Sequence, residues 1–450
     1  MMISIGIDVG TTTICGVAAD AENGDLLKSI TLDNDSFINN DIVYEKAQNP
    51  ERIFELITKI LDDLFNEFET IVSIGISNQM HGILYVDNNG NALSPLYIWQ
   101  DERGNEKFNS SKTYAEHLSE IAGYTVAAGF GLTTHYYNLL NNNVPANAVK
   151  ICTVGDYIAM RLCKQNSPVM HISNAASLGV FNIKNNEFDV EKLKLAKIDT
   201  SILPKVISDF NILGEYKGAG VCVAVGDNQA SFIGSVIGDN ALLINVGTGA
   251  QVSVCTNNTK SADGVEIRPL FGEKRICVGA SLCGGRAYAL LENFFKECLS
   301  YFGNTTADDL YKKMDSLALS EEKTEPLKIS TLFCGTRNNP ALRGGVENLG
   351  IENFTPKAFV CGVLNGIADE LENFYKSMNV DIIPKIIVGS GNGIRKNEPL
   401  KKLLSERFNM QLLIPKNREE ASFGAMIASL VASGVYKDVE TAENNLVKLI

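Results

Sequence analysis

The sequence predicts a two-domain α/β protein, and three observations carry that prediction. A strand-turn-strand element occurs twice, as Ile5-Gly6-Ile7-Asp8-Val9-Gly10-Thr11-Thr12-Thr13 near the start and as Ile244-Asn245-Val246-Gly247-Thr248-Gly249-Ala250-Gln251-Val252 near the middle. Each copy is followed by alternating helical and strand patterns. The length of 450 residues exceeds the size at which one hydrophobic core stops growing.

The elements follow in order. After the first tip, residues 14–19 form a strand, Asn23-Gly24 a tight turn, and residues 25–32 a third strand. Asn49-Pro50-Glu51 supplies an N-cap and a first-turn proline, and Ile53, Leu56, Ile57, Ile60, Leu61, Leu64 and Phe65 then recur at helical spacing. Residues 71–76 make an apolar strand ending at Ser77-Asn78-Gln79. Three antiparallel strands followed by alternating helix and strand is the order of a ribonuclease-H-like α/β unit. The second half repeats it: strands at 241–246, 251–255 and 276–280, helices at 285–302 and 354–378, a strand at 385–388, a helix at 398–408, a strand at 411–414 and a closing helix at 418–433. The boundary falls near Gly238-Asp239, giving domains 1–238 and 239–450. No low-complexity segment interrupts them, which predicts two such domains flanking a cleft.

Composition narrows the function. With 45% hydrophobic and 21% charged residues the chain is that of a globular protein, and its net charge of −13 disfavours nucleic acid or an anionic membrane as partner. A small anion such as a nucleotide remains compatible, since local N–H groups and a divalent cation decide its binding. No apolar run approaches the roughly 20 residues of a membrane span. The chain opens on a strand pattern without a basic-then-apolar segment, and its ten scattered cysteines include no Cys-x-x-Cys pair. The expectation is a cytoplasmic protein whose thiols are small buried hydrophobes.

Four segments bear chemistry. The two Gly-Thr tips have small residues that let backbone N–H groups close on an anion, so Gly10, Thr11, Thr12 and Thr13 in one and Gly247, Thr248 and Gly249 in the other fit a nucleotide polyphosphate. Asp8, at the strand end beside the first tip, is placed to hold Mg2+ directly or through water; the alternative is an ordinary strand-end carboxylate. Ile386-Ile387-Val388-Gly389-Ser390-Gly391-Asn392-Gly393 is a buried strand opening into a glycine-rich turn before a helix, suited to the adenosine side of the nucleotide. Asp227, between the strand 223–226 and a small-residue helix, is either a helix N-cap or a carboxylate that meets a substrate hydroxyl together with Asn228.

Taken in order, Asp8-Val9-Gly10-Thr11-Thr12, Ser77-Asn78-Gln79-Met80-His81-Gly82, Trp99-Gln100-Asp101-Glu102-Arg103, Gly226-Asp227-Asn228-Gln229-Ala230, Asn245-Val246-Gly247-Thr248-Gly249, Gly335-Thr336-Arg337-Asn338-Asn339-Pro340 and Gly389-Ser390-Gly391 resemble the FGGY family of carbohydrate kinases, in the actin-like ATPase fold. The resemblance covers nearly the whole chain. It implies ATP and Mg2+ as cofactors and a small sugar as substrate, with the chain acting as a monomer or homodimer. It also implies Asp227 as the catalytic base, and Gln79, Met80, His81, Trp99, Asp101 and Asn228 at the sugar. The Gln-Met-His-Gly loop looks like the ketose-binding loop of xylulokinases and sedoheptulokinases. Trp99-Gln100-Asp101, Gly155-Asp156-Tyr157, Ser173-Asn174-Ala175-Ala176-Ser177 and Gly179 to Asn182 look most like sedoheptulokinases. The implied activity is phosphorylation of a ketose, sedoheptulose first and xylulose as alternative, at its terminal primary hydroxyl. Gly131-Leu132-Thr133-Thr134-His135-Tyr136-Tyr137 departs from the lysine-leucine-tryptophan pattern of many relatives. A nucleotide-switched module without catalysis shares the fold, but has no need of Asp227-Asn228 or the Gln79-Met80-His81 loop.

Overall fold

The first tip is the turn of a hairpin. In the computed structural model, which describes residues 1–39, 41–260, 262–303, 309–336, 339 and 341–450, β1 (Ile3–Val9) and β2 (Thr13–Asp20) pair antiparallel with Val9 opposite Ile14. β3 (Leu26–Asp33) returns antiparallel to β2. The Asn49 side chain then accepts from the N–H groups of Glu51 and Arg52, starting α1 (Pro50–Glu67), whose apolar stripe from Ile53 to Leu64 is buried. β4 (Ile71–Asn78) lies parallel to β1. An inserted region carrying α2 (Val154–Leu162) and α3 (Ile172–Ser177) precedes β5 (Ile212–Tyr216), β6 (Ala219–Cys222), the short β7 (Val225–Gly226) and α4 (Asp227–Ser235). The sheet order is β5-β6-β4-β1-β2-β3, and β7 also pairs with the end of β4.

The second sheet has the same plan. β8 (Ala241–Val246) and β9 (Ala250–Thr256) form the second hairpin, followed by β10 (Val265–Phe271), β11 (Lys274–Ser281), α5 (Gly285–Cys298), α6 (Pro356–Ser377), β12 (Ile386–Ser390), α7 (Glu398–Phe408) and β13 (Gln411–Leu413). Its order is β10-β11-β9-β8-β12-β13, with β12 parallel to β8. The run β3-β2-β1-β4-β6 in the first sheet thus reappears as β11-β9-β8-β12-β13, and each unit is ribonuclease-H-like. The helix expected over 285–302 is α-helical to Cys298 and widens into a π-turn at Leu299–Gly303.

The division of the chain differs from the expected 1–238 and 239–450. One unit comprises Met1–Ile237, Arg268–Lys274 and Glu419–Lys448, and the other Gly238–Ile267, Arg275–Arg418 and Leu449–Ile450. The closing helix α8 (Glu420–Ala432) therefore belongs to the first unit. The reason is steric. A Cβ on Gly6 of β1 would lie 1.8 Å from the Ser422 carbonyl oxygen, one on Gly75 of β4 1.8 Å from that of Ala425, and one on Gly424 1.8 Å from that of Ala230 in α4. Only glycine lets α8 lie this close to the sheet and to α4. A buried serine cluster pins the same contact, with Ser73 Oγ 2.7 Å from Ser4 Oγ and 2.9 Å from Ser429 Oγ. Helical periodicity shows that α8 is apolar nearly all round, but not which sheet receives it.

Among the described residues no helix is long and apolar enough to cross a membrane. None of the ten cysteines is in a disulfide, and six of them are buried.

The packing predicts that Gly75→Ala destabilises the protein by at least about 1–3 kcal/mol, the usual cost of overpacking a filled core. Urea unfolding measures this, and an unchanged midpoint would contradict the close approach.

Candidate active site

Three neighbouring strand ends build the first part of the site. Asp8 is opposite Ser77, Val225 is also opposite Ser77, and Gly226 is opposite Asn78. The C-terminal ends of β1, β4 and β7 therefore place Asp8, Gln79-Met80 and Asp227 side by side, where open α/β sheets bind ligands. Asp8 Oδ1 accepts from Ser77 Oγ at 2.8 Å. Burial raises its proton affinity, as does the nearby Glu419 charge, against the lowering effect of the Ser77 hydroxyl.

Asp227 is not a helix cap. Gly226 is the N-cap of α4, and Asp227 Oδ1 accepts from the Asn228 N–H at 2.7 Å. Its pKa is pushed up to about 7, by burial first and then by the Asp8 charge, while Arg268 pulls it down. A carboxyl with that value is suited to exchange a proton near neutral pH.

The loop residues divide into open and engaged groups. Thr11 Oγ1 donates to Gln79 Oε1 at 3.0 Å and accepts from Trp99 Nε1 at 3.0 Å; Gln79 Nε2 donates to Gln48 Oε1, and Gln48 Nε2 donates to the Thr11 carbonyl. The Thr11 hydroxyl thus orients Trp99 and Gln79, and none of these bonds takes the Thr11 N–H, the group expected at the phosphate. Trp99 keeps 48% of its surface exposed, a flat face beside the strand ends. Met80 is buried against Gly226, with its sulfur 3.0 Å from where a Gly226 Cβ would stand. His81 sits at φ +75°, hydrogen-bonded through Nδ1 to the Ser177 carbonyl at 2.7 Å and stacked on Phe130. A left-handed, non-glycine residue marks a place where the surroundings hold the backbone.

Asp101 is placed differently from the sugar contact expected of it. It is 1% exposed, Oδ1 accepts from Arg103 N and Nε, and Oδ2 accepts from Lys46 N and Arg103 Nη2. A carboxylate with four such bonds has its acceptor capacity filled, so Asp101 braces Arg103 and the loop before Trp99.

In the first tip the Gly10 and Thr12 carbonyls accept from Asn34, while Thr12 and Thr13 are exposed. In the second unit, Asn245 pairs with Ser390, so the Gly247-Thr248-Gly249 tip and the Gly389-Ser390-Gly391 turn lie on adjacent strand ends. The Ser390 hydroxyl, 1% exposed, accepts from Asn245 Nδ2 at 2.8 Å and ties the two together. The first turn of α5 closes on the tip, with Gly285 N donating to the Gly247 carbonyl and Gly284 N and Arg286 N to that of Thr248. Of the 335–340 segment, Arg337, Asn338 and Pro340 lie outside the described residues.

Sequence reasoning missed what holds the Asp227 turn. The Ser208 carbonyl can only accept, so the His171 Nε2 that lies 3.1 Å from it carries the proton, and His171 Nδ1 accepts from Ser173 Oγ at 2.8 Å. Ser173 Oγ in turn accepts from Gly226 N at 3.0 Å. Burial lowers the His171 pKa to about 4, keeping the ring neutral and the chain directed. Asn174 Nδ2 bridges Asn78 Oδ1 and the Ala224 carbonyl beneath the same turn and touches Asp156, whose carboxyl is raised to about 7 by burial. The segments around Asp156 and Ser173 were visible as motifs; nothing local linked them to Asp227.

Fold and site define a two-unit α/β phosphotransferase of the actin-like ATPase type. Residues 3–242 match the N-terminal domain, and residues 242–433 the C-terminal domain, of the FGGY family of carbohydrate kinases. The chain belongs to that family and is an ATP:sugar phosphotransferase. Among its relatives are a sedoheptulokinase of Mus musculus, 24% identical over 95% of this chain and 97% of the relative, and a xylulose kinase of Staphylococcus xylosus, 24% identical over 96% and 91%. Similar solved structures include the ligand-bound xylulose kinase from Lactobacillus acidophilus, TM-score 0.84 at 20% identity over 100% and 93% of the two chains, and Plasmodium falciparum glycerol kinase with ADP, TM-score 0.82 at 18% identity over 99% and 92%.

Two glycines of the second unit separate structure from binding. Gly391 sits at φ +80°, with a Cβ position 2.6 Å from the Val246 carbonyl, whereas a Cβ on Gly247 meets only Asn245 Oδ1 at 3.9 Å. Gly391→Ala is expected to lower both melting temperature and ATP affinity, and Gly247→Val to lower ATP affinity alone. Calorimetric titration beside a thermal melt checks this; full ATP affinity in Gly247→Val would remove the tip from the nucleotide site.

Proposed function

We propose that this kinase phosphorylates the terminal primary hydroxyl of a ketose, sedoheptulose by preference, yielding sedoheptulose 7-phosphate. The observation that carries the reading is Asp227, a strand-end carboxyl poised near neutral pH beside Asp8 and the Gln79-Met80 loop. Asp227 takes the hydroxyl proton as the sugar oxygen bonds to the γ-phosphorus and the bond to the β,γ-bridging oxygen breaks, releasing ADP. Positioning and charge stabilisation supply most of the rate in such a reaction, and the base a smaller factor.

The sugar assignment is supported by the relative named sedoheptulokinase, which aligns along nearly all of this chain. Asn228 offers its N–H donors to the substrate, because its Oδ1 is taken by Arg268 at 3.1 Å. Trp99 offers its face to the C–H side of the sugar, and His81 lines the loop. Gly247, Thr248 and Gly249 are assigned to the ATP phosphates, as are Gly10, Thr11, Thr12 and Thr13, and Gly389, Ser390 and Gly391 to the adenosine end. Asp8 suits Mg2+, with one oxygen tied to Ser77 and the other left for an ion that keeps water and phosphate ligands. Bound there, Mg2+ supplies charge neutralisation to the phosphates. Cysteines without disulfides suit a reducing cytoplasm.

Initial rates at saturating MgATP and pH 8, on sedoheptulose and xylulose, test the reading. Sedoheptulose is expected to give the higher kcat/KM, because a site that hydrogen-bonds the extra hydroxyls rejects the shorter sugar. Asp227→Asn is expected to lose about 10²- to 10⁴-fold in turnover while still binding ATP. Equal or xylulose-favouring kcat/KM overturns the sugar, and parental kcat in folded Asp227→Asn overturns the base.

A further inference from the structure

The segment Arg268–Lys274 leaves the second half of the sequence and joins the first unit. It is the end of β10, a two-residue turn and the start of β11, and it is anchored at several points. Gly272 N donates to the Ser208 carbonyl at 2.7 Å, the same oxygen that accepts from His171, and Asn186 Nδ2 donates to the Gly272 carbonyl at 2.9 Å. Gln229 Nε2, from α4, donates to the Pro269 carbonyl at 3.0 Å. Phe271 packs on Phe210, which stacks on His171. The turn that carries Asp227 and the 268–274 tip therefore share one buried frame, and that frame sets Arg268 Nη1 3.1 Å from Asn228 Oδ1.

We propose that Arg268 is a positioning residue for phosphoryl transfer, brought by the 268–274 tip to fix the Asn228 amide so that its N–H groups face the sugar. The proposal rests on Asn228 being a sugar contact. A side-chain amide can present either its oxygen or its nitrogen, and a guanidinium can only donate, so Arg268 Nη1 at 3.1 Å holds the Asn228 oxygen on its own side and leaves the Nδ2 donors for the substrate. The planar fork is pre-organised for that hold, which an ammonium on a flexible stem does not reproduce.

The experiment is steady-state kinetics of the full chain with sugar and MgATP, in the parent, Arg268→Gln, Arg268→Lys, Asn228→Ala and the Arg268→Gln, Asn228→Ala double variant, each beside a thermal melt. Arg268→Gln and Arg268→Lys are expected to raise the sugar KM by about tenfold with the MgATP KM unchanged, and Arg268→Gln is expected to add nothing further in the Asn228→Ala background, because two residues acting through one contact are not additive. A parental sugar KM in folded Arg268→Gln, an equal rise in both KM values, or full additivity with Asn228→Ala each overturns the proposal. If Arg268→Gln does not fold, a parental sugar KM in Arg268→Lys overturns it. A parental sugar KM in Asn228→Ala overturns the reading of Asn228 as a sugar contact instead, a result distinct from any of these.

Discussion

The backbone of α8 lies against β1, β4 and α4 at distances that exclude any Cβ at Gly6, Gly75 or Gly424. This contact fixes where the strand ends of the first unit finish. β1 delivers Asp8 and β4 delivers Ser77, Gln79 and Met80, while α4, crossed by α8 at Gly424, begins with Asp227. A helix that is apolar nearly all round gains from burial on every side, and here the serine cluster of Ser4, Ser73 and Ser429 gives the apolar contact a register. The candidate site residues of the first unit are therefore placed by a helix that contributes none of them.

Holding Asp8 and Asp227 at the ends of β1 and β7, on either side of β4, has an electrostatic consequence. Both are raised by burial, and Asp227 is raised further by Asp8. The surroundings answer with few hydrogen bonds: Ser77 to Asp8, and the Asn228 N–H to Asp227. Elsewhere in the unit a buried carboxylate is treated in the opposite way. Asp101 is saturated by Arg103 and the Lys46 N–H, a pattern that suits bracing rather than proton transfer. The contrast between a saturated carboxylate and a sparsely bonded one within one unit supports the role proposed for Asp227.

Much of this was legible in the sequence where the cause was local. The hairpin tips, the Asn49 cap and apolar stripe of α1, and the strand before Gly389 follow from alternation, capping residues and glycine placement. The residue types at Asp8, Asp227 and Gln79 were legible through the order of motifs. Other parts depend on contacts between distant segments and left no local mark. The Thr11 hydroxyl is engaged because Trp99, 88 residues later, reaches it. Asp101 looks like an open acid until Arg103 is seen to fold back on it. The end of β10 and the helix α8 sit in the second half of the chain but pack with the first unit, and no boundary drawn along the sequence assigns them there.

The proposed reaction depends on the coupling of Asp8 and Asp227, whose strands β1 and β7 end on either side of β4. The direct measurement is a 13C NMR titration of the Asp227 carboxyl in the ligand-free protein and in Asp8→Asn. A midpoint near 7 that falls when the Asp8 charge is removed is the predicted result. A midpoint in the ordinary carboxylate range, about 4, unchanged by Asp8→Asn, would contradict it.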